Sequence, residues 1–176
     1  AAARLGMRCV IVANGERPPR ATGNALLDEL FGADVEYVAS REERAPAMGA
    51  IAERLRSEGM HPVIIPLGAS TPLGAAGFAR AVGELVSQLD EAPDYIFHST
   101  SSGGTQAGLV AGQVLYNLKT RVIGISADEP ADRLQAAVSG IVSGLGELLG
   151  MDGRKLAAAR PIEVDTRFIG EGYGVP

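Results

Sequence analysis

Short apolar runs alternate with helix-like stretches along most of the chain, and this alternation constrains the fold more than any other feature. The run Arg8–Ala13 is apolar and β-branched and ends at an Asn-Gly turn. The stretch that follows spaces Leu26, Leu27 and Leu30 as one face of a helix does. The predicted strands are 8–13, 34–38, 61–66, 95–98, 121–126 and 162–165. Because helices that join strands produce parallel pairing, we predict an α/β protein whose sheets are covered by helices on both faces.

The composition excludes several classes of protein. With 176 residues, a net charge of -5 and a pI near 5.1, the chain has no basic face for nucleic acid. Cys9 is the only cysteine, so no internal disulfide forms and a reducing, cytoplasmic setting is expected. No apolar run approaches the roughly 20 residues of a membrane helix. His61 and His98 are the only histidines and lack the spacing of a metal site.

The most informative stretch is Thr100–Leu109, where small and hydroxylated residues connect a predicted strand to a predicted helix. Glycines there allow the backbone to approach a ligand closely. The free amides at the start of the helix, together with the positive end of its dipole, favour an anion. Serine and threonine hydroxyls add uncharged donors. The pattern therefore predicts a cup for a phosphate monoester, held mainly by backbone amides.

Other interpretations of this stretch were weighed. The spacing of Gly103, Gly104 and Gly108 does not match the dinucleotide fingerprint, and no lysine follows Gly104 as in a nucleotide-binding P-loop. The Gly-x-Ser-x-Gly pattern of a hydrolase nucleophile is absent. A small-residue turn that only connects a strand to a helix stays open, because such turns are common.

Four segments, in order, resemble the D-cysteine desulfhydrase / 1-aminocyclopropane-1-carboxylate deaminase family. Thr100–Leu109 is similar to its T-G-S-G-G-T-x-A-G-L loop, and Thr22–Leu27 to its T-G-N-x-L-L helix start. Ile65–Gly74 resembles its I-P-x-G-x-S-x-P-x-G connection, and Gly170–Pro176 its G-x-G-Y-G-x-P turn. The resemblance implies a fold-type-II enzyme like the tryptophan synthase β subunit, with pyridoxal 5'-phosphate between two lobes. Residues 1–70 would form part of the smaller lobe and 71–176 part of the larger, cofactor-binding lobe.

The resemblance also implies roles for particular residues. Tyr173 would be catalytic, beside the cofactor and substrate. Ser101 stands where the family usually has glycine, and its Cβ crowds the backbone unless φ stays negative. The residues that would hold the cofactor phosphate are Thr100, Ser101, Ser102, Gly103, Gly104 and Thr105.

The family's Schiff-base lysine lies upstream of the matched segments and its pyridine-nitrogen partner downstream. Lys119 and Lys155 are interpreted as surface residues. We therefore interpret the chain as an internal piece of a longer protein, incomplete at both ends and inactive alone.

For the full-length protein the resemblance implies a pyridoxal-phosphate lyase acting on a small amino acid. The first reading is D-cysteine desulfhydrase-like α,β-elimination, which gives a 2-oxo acid, ammonia and sulfide. The alternatives are 1-aminocyclopropane-1-carboxylate deamination and, from another class, a non-catalytic phosphate- or nucleotide-binding α/β domain. The family usually forms homodimers, so a homodimer is expected, without a membrane or nucleic-acid partner.

Overall fold

The computed structural model describes residues 1–170 and divides into two compact units. The first unit is Ala1–Ile65 and the second begins at Pro66. Each unit has its own sheet, and every strand pair in both sheets is parallel. Helices follow the strands in both units, so the predicted α/β class is confirmed. Among residues 1–170, none of the helices combines the length and apolarity that crossing a bilayer requires.

The first unit is a two-stranded sheet with two helices. Its elements are β1 (Val10–Asn14), α1 (Gly23–Leu30), β2 (Asp34–Val38) and α2 (Arg44–Ser57). Strands β1 and β2 pair with Ile11 opposite Val35. Helix α2 supplies the buried side chains of this unit, Ile51, Ala52 and Leu55, and packs against β1. The packing of α2 against the β1–β2 pair therefore provides the buried contacts of this unit.

The predicted strand at 61–66 is wrong. Residues 61–66 form no strand in the described structure, and Val63 is 79% exposed. The physical reason is the pair of prolines that bracket the run. Pro62 and Pro66 have no amide hydrogen to donate to a neighbouring strand. Apolar, β-branched composition alone therefore gave a false strand here.

The second unit is a three-stranded sheet with four helices. Its elements are α3 (Pro72–Gln88), β3 (Tyr95–Thr100), α4 (Gly104–Leu115), β4 (Arg121–Ser126), α5 (Ala131–Leu148), α6 (Gly153–Ala158) and β5 (Glu163–Asp165). The strand order is β3-β4-β5. The short helix α6 was not expected from the sequence. It begins after Asp152, whose carboxylate accepts a hydrogen bond from the Lys155 amide at 3.1 Å.

The core of the second unit lies where α3, α4 and α5 meet. Small side chains bring α3 and α4 together, since Ala75 and Ala107 are fully buried. A Cβ added at Gly108 would lie 2.4 Å from the Ala75 carbonyl oxygen, so no larger residue fits there. Val138 of α5 is also fully buried in this cluster. The close helix contact holds the N-terminal end of α4 in place.

Only one face of the second sheet is covered in the described part of the chain. Val122 lies on the covered face and is 3% exposed, whereas Tyr95 and Phe97 on the other face are 48% and 63% exposed. For the second sheet, residues 66–170 therefore place helices on one face, where the prediction expected them on both. The open face carries a cation–π contact and an ion pair. Arg121 lies over the Tyr95 ring at 5.4 Å and forms an ion pair with Glu163.

Candidate functional site

A small cavity lies at the carboxyl end of β3, where the chain turns into α4. Its volume is about 170 Å³, and residues 99–105 and Ala127 line it. Ala127 follows the end of β4, the neighbouring strand. Ligands of parallel α/β sheets bind at this edge, outside the carboxyl ends of the strands. The structure thus brings all six predicted phosphate-site residues, 100–105, to one cavity, which we call the cup.

The backbone of the cup depends on Gly103. Its φ is +81°, a conformation that side chains with a Cβ rarely adopt, and a Cβ there would lie 3.1 Å from Val138 Cγ2. Among the described residues, Ala69 and Asn117 are the only non-glycines with positive φ. Ser101 is not one of them, so its side chain causes no backbone strain at the position where the resembling family motif has glycine.

Three amides at the start of α4 are uncommitted. Within the described chain, the N–H groups of Ser102, Gly103 and Thr105 donate to no other residue. The Gly104 N–H is different, because it donates to Ser70 Oγ at 3.1 Å. The expectation that every amide at the helix start is free therefore needs correction at this one position.

The residues present fit a phosphate monoester. The three free amides and the positive end of α4 favour an anion, and the hydroxyls of Ser101 and Thr105 line the same cavity. Among residues 1–170, no residue that lines the cavity carries a carboxylate that would repel a phosphate. The buried hydroxyl of Thr100 has no partner within residues 1–170. These are the features that the Gly- and Ser-rich loop predicted.

Ser70 is a cup-contacting residue that sequence reasoning missed. Its hydroxyl lies 2.7 Å from Ser102 Oγ and accepts from the Gly104 amide. It sits between Pro66 and α3, in the short loop that precedes Thr71, the N-cap of that helix. The available signal was its place in the Ile65–Gly74 segment, which resembles a family motif but lies far from the cup in sequence.

Gln106 ties the first turn of α4 to strand β5 by a hydrogen bond from its buried side chain. Its side chain is fully buried, and Nε2 donates to the Glu163 carbonyl of β5 at 2.8 Å. A Cβ at Gly124 of β4 would lie 2.5 Å from Gln106 Oε1, so the glycine makes room for the amide. No sequence motif marked this residue. The contact couples the cup helix to the edge strand.

His98 lies on β3, two residues before the end of the strand. Its Nδ1 is 2.9 Å from the Ser99 carbonyl oxygen, and its buried Nε2 has no partner among the described residues. A proton on Nδ1 donates to that carbonyl, whereas a second proton on Nε2 would be a buried, unpaired donor. Burial accordingly lowers the pKa of His98 below its ordinary value of 6.5.

This lowered pKa predicts an acid-sensitive fold. Below pH 6.5 the unfolded chain protonates His98 before the folded chain does, so the free energy of unfolding falls as the pH drops. It levels off once His98 protonates in the folded protein. We expect His98→Asn to remove this part of the slope between pH 7 and 5, as measured by urea unfolding. The exposed His61 supplies the control, and a slope that survives His98→Asn but disappears in His61→Asn would contradict the prediction.

Tyr173 is the one predicted site residue outside the cup, and the two lysines were predicted to lie on the surface. Tyr173 lies outside the described residues, so its catalytic role stays a prediction. Lys119 is exposed, and Lys155 lies on the surface, where its Nζ is 3.5 Å from Asp152. Within residues 1–170 no group of acidic, histidine or cysteine side chains is arranged to hold a metal ion.

The fold and the cup define an α/β protein with a cavity at a glycine- and serine-rich turn, at the carboxyl edge of a parallel sheet. A family model described as "Pyridoxal-phosphate dependent enzyme" matches residues 1–176. The chain therefore belongs to the family of pyridoxal-phosphate dependent enzymes. The predicted cofactor class and the fold-type-II assignment are confirmed by this match and by the structural similarity below.

Individual relatives place the chain more narrowly. A protein of Burkholderia vietnamiensis named 1-aminocyclopropane-1-carboxylate deaminase is 37% identical over 190 positions, covering 99% of this chain and 54% of that protein. A protein of the same name from Burkholderia cenocepacia is 36% identical with the same coverage. A crystal structure described as an ACC deaminase homologue matches with a TM-score of 0.82 and 30% identity, covering 93% of this chain and 49% of that one. The chain spans about half the length of the curated relatives it matches, and the predicted family resemblance is confirmed.

Proposed function

We propose that the full-length protein is a pyridoxal-phosphate dependent deaminase of the 1-aminocyclopropane-1-carboxylate type, and that this chain holds the cofactor phosphate. The observation that carries the proposal is the cup, where three amides without a partner in residues 1–170 lie beside a cavity lined by the hydroxyl side chains of Ser101 and Thr105 and, in that part of the chain, by no carboxylate. The relatives named as deaminases support the reaction class. We expect a homodimer, as the family resemblance implies, and a cytoplasmic setting, as the single cysteine suggests.

In this proposal the residues of the cup bind the cofactor phosphate and orient the cofactor ring. Amides of Ser102, Gly103 and Thr105 would donate to the phosphate oxygens, and their rigid positions fix the direction in which the ring extends. Pyridoxal phosphate, when bound, supplies an electron sink for bonds broken at the substrate Cα. Gly103 keeps the turn tight, so the amides hold their positions without rearranging when the anion arrives.

D-cysteine elimination is the second candidate, favoured by the similarity of Thr100–Leu109 to the loop of the combined family. The two reactions need the same phosphate site, so the cup does not separate them. The substrate separates them. Full-length protein is expected to release ammonia from 1-aminocyclopropane-1-carboxylate, and sulfide release from D-cysteine alone would favour desulfhydration.

A negative charge in the cup tests the phosphate role. Glutamate in place of the half-buried Ser101 would put a carboxylate against the phosphate, and such like-charge contact costs several kcal/mol. We expect Ser101→Glu to weaken binding of pyridoxal phosphate by about 100-fold, measured by absorbance titration of the cofactor-free full-length protein. Binding of pyridoxal, which lacks the phosphate, is expected to change little.

The exposed Ser87 on α3 supplies a matched control, because Ser87→Glu adds the same charge away from the cavity. Equal weakening of pyridoxal and pyridoxal phosphate by Ser101→Glu would contradict the phosphate role. Binding of a nucleotide but of neither pyridoxal form would instead support the non-catalytic alternative.

A further inference from the structure

We propose that Ser70 is a positioning residue that sets the Ser102 hydroxyl as a donor to the cofactor phosphate. The proposal rests on the function proposed above and adds a residue from outside the phosphate loop. Ser70 lies in the loop before α3 and is separated from Ser102 by 32 positions in the chain. It contacts the cup at two atoms, one of a side chain and one of the backbone.

The two contacts assign the protons of the network. The Gly104 N–H has only a hydrogen to give, so Ser70 Oγ is the acceptor of the 3.1 Å contact. In the hydrogen bond between the two hydroxyls, Ser70 Oγ is the donor and Ser102 Oγ, 2.7 Å away, is the acceptor. Ser102 accepts that hydrogen bond on a lone pair, and its own hydroxyl hydrogen is left free. Because Ser102 lines the cavity, that hydrogen is available to a phosphate oxygen there.

Hydrogen bonds in such a chain strengthen one another. A hydroxyl that accepts a hydrogen bond becomes a better donor, so Ser70 increases the donor strength of Ser102 toward an anion. The Gly104 amide, which does not donate to the ligand itself, feeds the same chain through Ser70. The start of α4 therefore acts on the phosphate in two ways. The free amides donate to it directly, and the Gly104 amide acts through the hydrogen-bonded hydroxyls of Ser70 and Ser102.

The loop that carries Ser70 fits closely against the cup. A Cβ at Gly68 would lie 2.3 Å from Ser102 Oγ, and a Cβ at Gly104 would lie 2.6 Å from Ser70 Oγ. The next residue, Ala69, has a φ of +49°, which is rare for a residue with a side chain. At the other end Thr71 accepts from the Gly74 amide at 3.0 Å and begins α3. The close approaches of Gly68 to Ser102 and of Gly104 to Ser70 therefore leave the Ser70 side chain little room to move.

The test compares cofactors with and without the phosphate. In the full-length protein, Ser70→Ala is expected to weaken binding of pyridoxal phosphate by about 3- to 10-fold, because Ser102 keeps its hydroxyl but loses the neutral hydrogen bond that positions it. Binding of pyridoxal is expected to stay within about twofold of the parent protein, since the Ser102 hydroxyl that Ser70 positions acts only on the phosphate. The ³¹P resonance of bound pyridoxal phosphate should shift in the variant. Ser87→Ala on exposed α3 is the matched control and should change none of these.

A double-mutant cycle decides whether Ser70 acts through Ser102. If it does, Ser70→Ala should have little further effect in a Ser102→Ala background. Full additivity of the two changes would overturn the proposal, as would equal losses for pyridoxal and pyridoxal phosphate. If Ser70→Ala does not fold, Ser70→Cys keeps the size of the side chain with a weaker donor, and the same comparison applies.

The outcomes also separate this proposal from the function on which it rests. Normal pyridoxal phosphate binding by Ser70→Ala, with strong loss in Ser101→Glu, would overturn only the role of Ser70. Normal binding in both variants would overturn the cup as a phosphate site.

Discussion

Valine in place of Gly104 is expected to abolish retention of pyridoxal phosphate by the full-length protein. A Cβ at this position would lie 2.6 Å from Ser70 Oγ and 2.9 Å from Ser70 Cα, so the loop or the start of α4 must move. Movement of either one misplaces the free amides and the Ser70–Ser102 contact together. Loss of several hydrogen bonds to a charged group corresponds to at least about 1,000-fold in affinity. Dialysis followed by absorbance of the retained cofactor measures it.

Gly77→Val is the control for this change. Gly77 lies on α3 with nothing within 4 Å of a Cβ, so the same substitution there tests only the effect of valine in a helix. Circular dichroism separates a local change in the cup from a failure to fold. Retention at the parent level by folded Gly104→Val would show that the cup does not hold the cofactor.

The largest effect on stability is expected at Gly108, where α4 crosses α3. A Cβ there would lie 2.4 Å from both the Ala75 carbonyl oxygen and Phe78 Cβ, and a backbone oxygen cannot rotate away. Overpacking in a well-packed core costs about 1–3 kcal/mol, so we expect Gly108→Ala to lower the free energy of unfolding by about 3 kcal/mol. Thermal and denaturant unfolding provide the measurement.

Gly140→Ala makes the same substitution as Gly108→Ala and is expected to raise the free energy of unfolding instead of lowering it. Gly140 lies inside α5, and a Cβ there would meet nothing within 4 Å. The only effect expected of alanine is therefore a smaller loss of backbone entropy on folding than glycine suffers. A gain of about 0.5–1 kcal/mol is expected there. A Gly108→Ala protein as stable as Gly140→Ala would show that α3 and α4 are not packed as described.

Local sequence patterns predicted most of the secondary structure, because the forces that form these elements act over a few residues. The run Arg121–Ser126 carries three β-branched apolar residues, and it forms β4 with the predicted bounds. The cup was predictable for the same reason, since Thr100–Leu109 carries its glycines, hydroxyls and helix start within one short stretch. The assignment of cofactor contacts to individual cup residues, however, stays a prediction.

The failures share a dependence on partners that are distant in sequence. Whether 61–66 becomes a strand is decided by an available neighbour and by amide donors, and its prolines remove donors. Ser70 acquires its role only because folding places it 2.7 Å from Ser102. The open face of Tyr95 and Phe97 depends on which chain segments pack there, and no local pattern records that.

The bond from Gln106 to the Glu163 carbonyl has a consequence for how the protein is made. The two residues are separated by 57 positions, so the first turn of α4 leaves the ribosome long before its buried partner does. Until Glu163 emerges, the Gln106 amide has either to stay hydrated or to be buried without an acceptor, which is costly. The first turn of α4, which belongs to the proposed phosphate site, should therefore reach its final position only after β5 has been synthesised and has docked.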